Sequence, residues 1–106
     1  MTPEQENQYL RFASHVELRV YLASKIRRAR TLRKESQIAF AARAGIALRT
    51  YKRLETHGLG HLDTFLKALI ALDRGQYLHL LFTPDNPLPK VQSLQDKLES
   101  IRQRQG

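Results

Sequence analysis

The side chains in this sequence that could do chemistry are arginines and lysines, and they are crowded together. Between Arg19 and Arg53 lie eleven basic residues, Arg19, Lys25, Arg27, Arg28, Arg30, Arg33, Lys34, Arg43, Arg49, Lys52 and Arg53, and one acid, Glu35. That stretch alone carries +10, against a formal net charge of +8 for all 106 residues, so the remainder sums to −2. Guanidinium and ammonium groups at this density suit the neutralisation of a polyanion, and they mark one landing zone for it. The competing reading is a solvated face that merely keeps the chain in solution. Clustering, as opposed to an even spread, favours nucleic acid.

Other chemistry finds little support. His57 and His61 stand four apart, a spacing that suits a metal on a helix, but Gly58 and Gly60 lie between them. Asp63 is the one carboxylate close by, which leaves zinc short of ligands. His61 reads instead as the cap of a following helix, and His79 as a boundary histidine in an apolar one. Cysteine is absent, which removes a disulfide framework, a thiolate site and a thiol nucleophile. No glycine-rich phosphate loop occurs, and no Ser/His/Asp set can be assembled. The expectation is a protein that is not an enzyme and uses no metal or cofactor. No apolar run approaches the roughly 18 residues of a membrane span, and Met1-Thr2-Pro3-Glu4 lacks the layout of a signal peptide. A cytoplasmic, nucleoid-associated location is expected, with no membrane partner.

The elements that must position these residues are helices. Period-two alternation is rare and β-branched residues are sparse, so the chain reads as all-α. Thr2-Pro3-Glu4-Gln5 opens a short helix ending near Ala13, with Tyr9 and Phe12 on one side. Ser14-His15-Val16-Glu17 repeats the capping pattern and starts a longer helix to about Arg33. Leu18, Leu22, Ile26 and Ala29 form its apolar face. Helices follow over 37–44, 47–57 and 61–72, the last with Leu62, Phe65, Leu66 and Leu69 as its buried stripe. Asp73-Arg74-Gly75 is a turn, and Tyr77 to Phe82 a last apolar turn or two of helix. Three prolines make 83–92 a linker. Ser93 then caps an amphipathic helix over 93–106, with Leu94, Leu98 and Ile101 on one side. The organisation is an amino-terminal extension over 1–14, a domain over 15–82, the linker, and that terminal helix.

The stretch from Gln37 to Leu54 is the most constrained. Two short helices joined by a tight turn can cross steeply only if certain positions are small or apolar. Phe40 anchors the first helix and Ala41 is small where the second comes close. Gly45 suits a left-handed exit, and Ile46, Tyr51 and Leu54 face the core.

Ile26-Arg27-Arg28-Ala29-Arg30, Ser36-Gln37, Ala44-Gly45-Ile46 and Arg53-Leu54-Glu55 resemble the Xre-type helix-turn-helix proteins, the phage repressor and Cro group. The resemblance spans residues of about 18 to 82 and continues in Leu62-x2-Phe65-Leu66-x2-Leu69-x2-Leu72. It implies a five-helix repressor-like domain with extra helical segments at both ends. Three departures stand out. A glycine and an apolar residue are usual where Lys34 and Glu35 stand, which turns the first loop into a continued helix. Ala47 replaces a Ser or Thr cap, a loss of about 1 kcal/mol. Tyr51 is larger than the usual aliphatic residue.

The resemblance implies a sequence-specific repressor that binds a double-stranded DNA operator as a homodimer, with its second motif helix in the major groove. Carried over by position, Ala47, Leu48, Arg49 and Arg53 meet base edges, arginine pairing with guanine and Leu48 with a thymine methyl. Gln37 then fixes a phosphate, with Arg43, Thr50 and Lys52 as further backbone contacts. Arg30 and Glu55 are implied to form a partly buried, structural salt bridge. The dimer or partner surface is expected at Tyr77, Leu81 and Phe82, or at Leu94, Leu98 and Ile101. Leu62-Asp63-Thr64-Phe65 and the short flanking segments are also similar to HipB-like antitoxins. That alternative adds a toxin protein, such as a HipA-like kinase, as a partner.

Overall fold

Thr2 and Ser14 each accept a hydrogen bond from the backbone three residues on, and Gln5 and Glu17 reach back to the capping amides. Two reciprocal capping boxes therefore start α1 (Pro3–Phe12) and α2 (His15–Leu32), as their sequences predict. α3 (Gln37–Ala44), α4 (Leu48–His57) and α5 (Leu62–Ala71) follow, then a 3-10 helix over Gly75–Phe82. The computed structural model describes residues 1–82, all helix and connection with no strand among them. The expected linker at 83–92 and terminal helix at 93–106, with Leu94, Leu98 and Ile101, lie outside the described residues. The chain divides into two units, Met1–Gly75 and Gln76–Gly106.

The core of the first unit is built on the aromatic pair Phe40 and Tyr51. Both are fully buried, with ring centroids 4.9 Å apart and planes tilted by 42°. Ile26 from α2, Ala41 from α3, Ile46 from the turn and Leu54 from α4 close around them. Ala68, Ala71 and Leu72 complete the cluster from the α5 segment. α4 thus packs on α2, α3 and α5, and α3 also packs on α5. Between α3 and α4 the chain turns over Gly45, which has φ 74°, and the Ile46 amide donates back to the Ala41 carbonyl at 2.9 Å.

The structure corrects several expectations. The first loop is not a continued helix: α2 ends at Leu32 and Lys34 takes a left-handed conformation with φ 58°. A lysine occupies a position that a glycine would hold without strain. In α5 the buried positions are Thr64, Ala68 and Ala71, while Leu62 is 69% exposed and Phe65 only partly buried. Small residues on the inner face let α5 approach α3 closely, and the larger ones are left at its rim. On α2, Leu18 and Leu22 are outer positions, and Ala23 and Ile26 are buried. The apolar turn expected before Thr83 is present as a 3-10 helix, with Tyr77, Leu81 and Phe82 exposed. α1 is attached to α2 by polar contacts: Glu6 accepts from the Tyr21 hydroxyl and pairs with Lys25 at 2.9 Å, and Tyr9 lies 6.5 Å from the Tyr21 ring. Phe12 stays 76% exposed.

Gly58 ends α4 with φ 66°, and a Cβ there would sit 2.3 Å from the Arg19 carbonyl oxygen. Backbone cannot yield as a side chain can, so α4 and α2 touch here only because the residue is glycine. At Gly45 an added Cβ meets nothing within 4 Å, and the left-handed φ is the whole constraint. Gly58→Ala is therefore expected to cost roughly 3 kcal/mol or more, and Gly45→Ala about 1–2 kcal/mol. Lys34→Gly runs the other way, with a gain of about 0.5–1 kcal/mol. Urea unfolding of the three variants checks the order; equal losses at Gly58 and Gly45 would contradict the backbone contact.

Candidate nucleic-acid interface

Acids decide which members of the basic cluster stay free. Lys25 is held by Glu6, Arg30 by Glu55, Arg33 by Asp73 and Glu35, and Arg43 by Glu35. Among the described residues, Arg27, Arg28, Lys34, Arg49, Lys52 and Arg53 make no ion pair, and the Arg19 Nε is buried without a partner. Three of these free cations lie on α4. That helix buries Tyr51, Leu54 and Glu55, so the opposite face, with Arg49 and Arg53 one turn apart, points outward. Lys52 is exposed beside them and Thr50 is half-buried. Arg49, Arg53, Thr50 and the Leu59–His61 loop line one shallow concavity.

The expected pair Arg30 and Glu55 is present and bidentate. Arg30 Nε donates to Glu55 Oε2 at 2.9 Å and Nη2 to Oε1 at 2.7 Å. The third donor, Nη1, reaches the Glu35 carbonyl in the α2–α3 loop at 2.7 Å. Both residues are buried, so one charge pair ties α2, the loop and α4 together. Burial alone would raise the Glu55 carboxyl, yet Arg30, Tyr51 and Gln37 together hold it below the usual range. Burial, reinforced by that carboxylate, pushes the Tyr51 phenol upward and keeps it protonated.

Other expected contacts have different surroundings. The Gln37 side chain donates to Glu55 Oε1 at 3.3 Å, so its amide is tied to the buried pair. Arg43 forms a two-bond pair with Glu35, at 2.9 and 2.7 Å, and lies over the Phe40 ring. Both side chains thus have a protein partner, and the Gln37 amide keeps a second N–H that could still meet a phosphate. Leu48 packs against the core cluster, and Ala47 is exposed at the start of α4 with no side-chain cap, as its replacement of Ser or Thr implies. His61 caps α5 by its backbone only, without a side-chain bond. Arg27, which spacing did not single out as a contact, shares a concavity with Gln37 and Thr56 between α2 and α4. Its signal was the position three before Arg30, one turn along the same helix.

Among the described residues no three His, Cys, Asp or Glu are grouped to hold a metal ion. No helix among them is long and apolar enough to cross a membrane. The chain matches no protein-family model, no curated protein and no solved structure.

The Arg30–Glu55 pair generates a pH dependence. With the folded carboxyl below its unfolded value of about 4.3, its contribution is complete above that value and is lost as pH falls through the folded one. Glu55→Gln strands the Arg30 charge and is expected to cost roughly 3 kcal/mol at pH 7. Thermal melts from pH 7 to 3 check this: the gap between wild type and variant should narrow below pH 4. A constant gap would show that the carboxylate charge is not what the pair contributes.

Proposed function

We propose that this chain is a sequence-specific DNA-binding transcriptional repressor of the helix-turn-helix type, with α3 and α4 as its motif. The observation that supports this reading is the free, outward face of α4. Arg49 and Arg53 stand one turn apart on it with Lys52 alongside, and no acid among the described residues answers them. Acids on the same molecule neutralise Lys25, Arg30, Arg33 and Arg43, so an unanswered cationic helix face suits an external polyanion. An α-helix fits the major groove, where arginine pairs with guanine O6 and N7. Ala47 is small and exposed at the leading end of that helix, where a base edge can approach.

In this reading Arg49 and Arg53 read bases, and Lys52 and Thr50 meet phosphates. Gln37 and Arg27 border the flanking strand from the groove between α2 and α4. Leu48 contributes mainly to packing. One such helix covers too few base pairs for operator-level affinity, so the protein acts as a homodimer on a pseudo-palindromic operator.

Fluorescence anisotropy with duplex DNA tests the proposal. Affinity is expected to fall steeply with salt, by roughly 0.9 log units per neutralised phosphate per log unit of salt. A flat salt response would remove the polyanion reading. On an operator selected from a random library, Arg49→Ala should relax base preference at one position by roughly 1–3 kcal/mol, and Lys52→Ala should weaken all sequences alike. If Arg49→Ala loses affinity equally for selected and random duplexes, Arg49 is a phosphate contact and the base-reading assignment fails.

A further inference from the structure

We propose that the cleft between α2 and α5 docks an acidic amphipathic segment of another protein, seated as a helix with its apolar side on the cleft floor and its carboxylates on a basic rim. Ile26, Ala29 and Leu32 line the cleft from α2, and Leu69 and Leu72 from the α5 segment. Ile26 and Leu72 are buried at its base, Ala29 and Leu69 are half-buried, and Leu32 is 72% exposed. Ala29 is the small member of the α2 row and leaves a notch between two larger side chains. α2 and α5 each pack on α4, yet no residue of α4 lines the space between them. This surface shares none of Arg49, Lys52 and Arg53, so docking here does not depend on DNA binding.

The rim decides the chemistry of the occupant. Tyr21, Lys25, Arg28 and Arg74 stand around the apolar floor. A carboxylate from a helix is already held there: Glu6 of α1 accepts from the Tyr21 hydroxyl and pairs with Lys25 at 2.9 Å. α1 brings only that polar tip, since it buries no residue and none of its side chains lines the cleft. Arg28, one turn along α2 from Lys25, makes no ion pair with a described residue, and Asp73, the acid beside Arg74, is taken by Arg33 at 3.2 Å. The rim therefore keeps a surplus of positive charge around an open apolar floor. That combination suits a helix with apolar anchors at i and i+4 and acids flanking them. Floor positions on α2 are about 4.5 Å apart along the helix, and such anchors about 6 Å apart, so two fit between Ile26 and Leu32. The chain's own 93–106 carries Lys97, Arg102 and Arg104 against Asp96 and Glu99, and a second copy brings a net +8. Neither matches the rim as an acidic segment does.

The probe is a fluorescein-labelled peptide of about 16 residues, with leucines at i, i+4 and i+7 and glutamates around them, titrated with the full chain at about 150 mM salt. Saturable binding is expected, and counterparts with lysine for glutamate or serine for leucine should not bind. Arg28→Glu and Leu32→Ser, both at exposed positions, should each weaken binding roughly five- to tenfold. Lys67→Glu makes the same charge change on α5 outside the cleft and should bind within about twofold of the wild type. Circular dichroism reports folding of each variant, and peptide-induced amide shifts in the wild-type NMR spectrum should fall within 21–32 and 69–74. Absence of saturable binding, equal binding of either counterpart, or shifts confined to 47–57 overturns the proposal. A dimer that Leu32→Ser dissociates, or cross-relaxation between Leu98 and Leu32 in the protein alone, gives the cleft to a second copy or to the chain's own end and overturns it equally.

Discussion

Arg30 sits at the centre of this structure because a guanidinium offers several fixed donors and cannot shed its charge. Two of its N–H groups hold both oxygens of Glu55 near the end of α4, and a third holds the Glu35 carbonyl in the loop before α3. The pair is buried, and burying two charges costs several kcal/mol per ion before their attraction offsets it. Its effect is therefore geometric more than energetic. Breaking it leaves a stranded charge, so α4 is held against α2 in one register. A lysine could not take its place, since a single ammonium lacks the planar fork that meets two carboxylate oxygens and a carbonyl.

That register decides what α4 presents. With Tyr51 and Leu54 directed at Phe40 and Ile26, the cations at 49, 52 and 53 have nowhere to go but outward. The contact at Gly58 reinforces the arrangement at the far end of the helix, where the chain passes against the Arg19 carbonyl without a side chain between. Two different constraints, an ion pair and a close backbone approach, thus fix the same helix at successive turns. The proposed reading surface depends on both, although neither belongs to it.

The distribution of acids does similar work elsewhere in the basic cluster. Glu35, the one acid inside the basic stretch, is shared by Arg33 and Arg43, and Asp73 takes a second bond from Arg33. Arg43 is also laid over Phe40, so its charge serves the α3 surface. Glu6 does the same for Lys25 and brings α1 along with it. A cluster that looks uniform along the chain is divided in space into structural cations and free ones.

Local features were legible in the residues themselves. The capping boxes at Thr2 and Ser14 depend on groups three residues apart, and Gly45 on a left-handed turn, so short-range pattern was enough to place α1, α2 and the α3 exit. The Phe40, Ala41, Ile46, Tyr51 and Leu54 core followed from the sizes that a tight pair of helices demands. The Arg30–Glu55 pair was implied only by likeness to a family, since nothing local joins residues 25 positions apart. Tertiary packing alone decided the rest. Periodicity marked an apolar face on α5 but could not show that the small positions Thr64, Ala68 and Ala71 would turn inward and leave Leu62 in water. The partners of Gln37 and Arg43 depended likewise on where Glu55 and Glu35 arrived. Helical propensity and capping are settled within a turn or two of chain, whereas charge pairing and close approach depend on which segments meet.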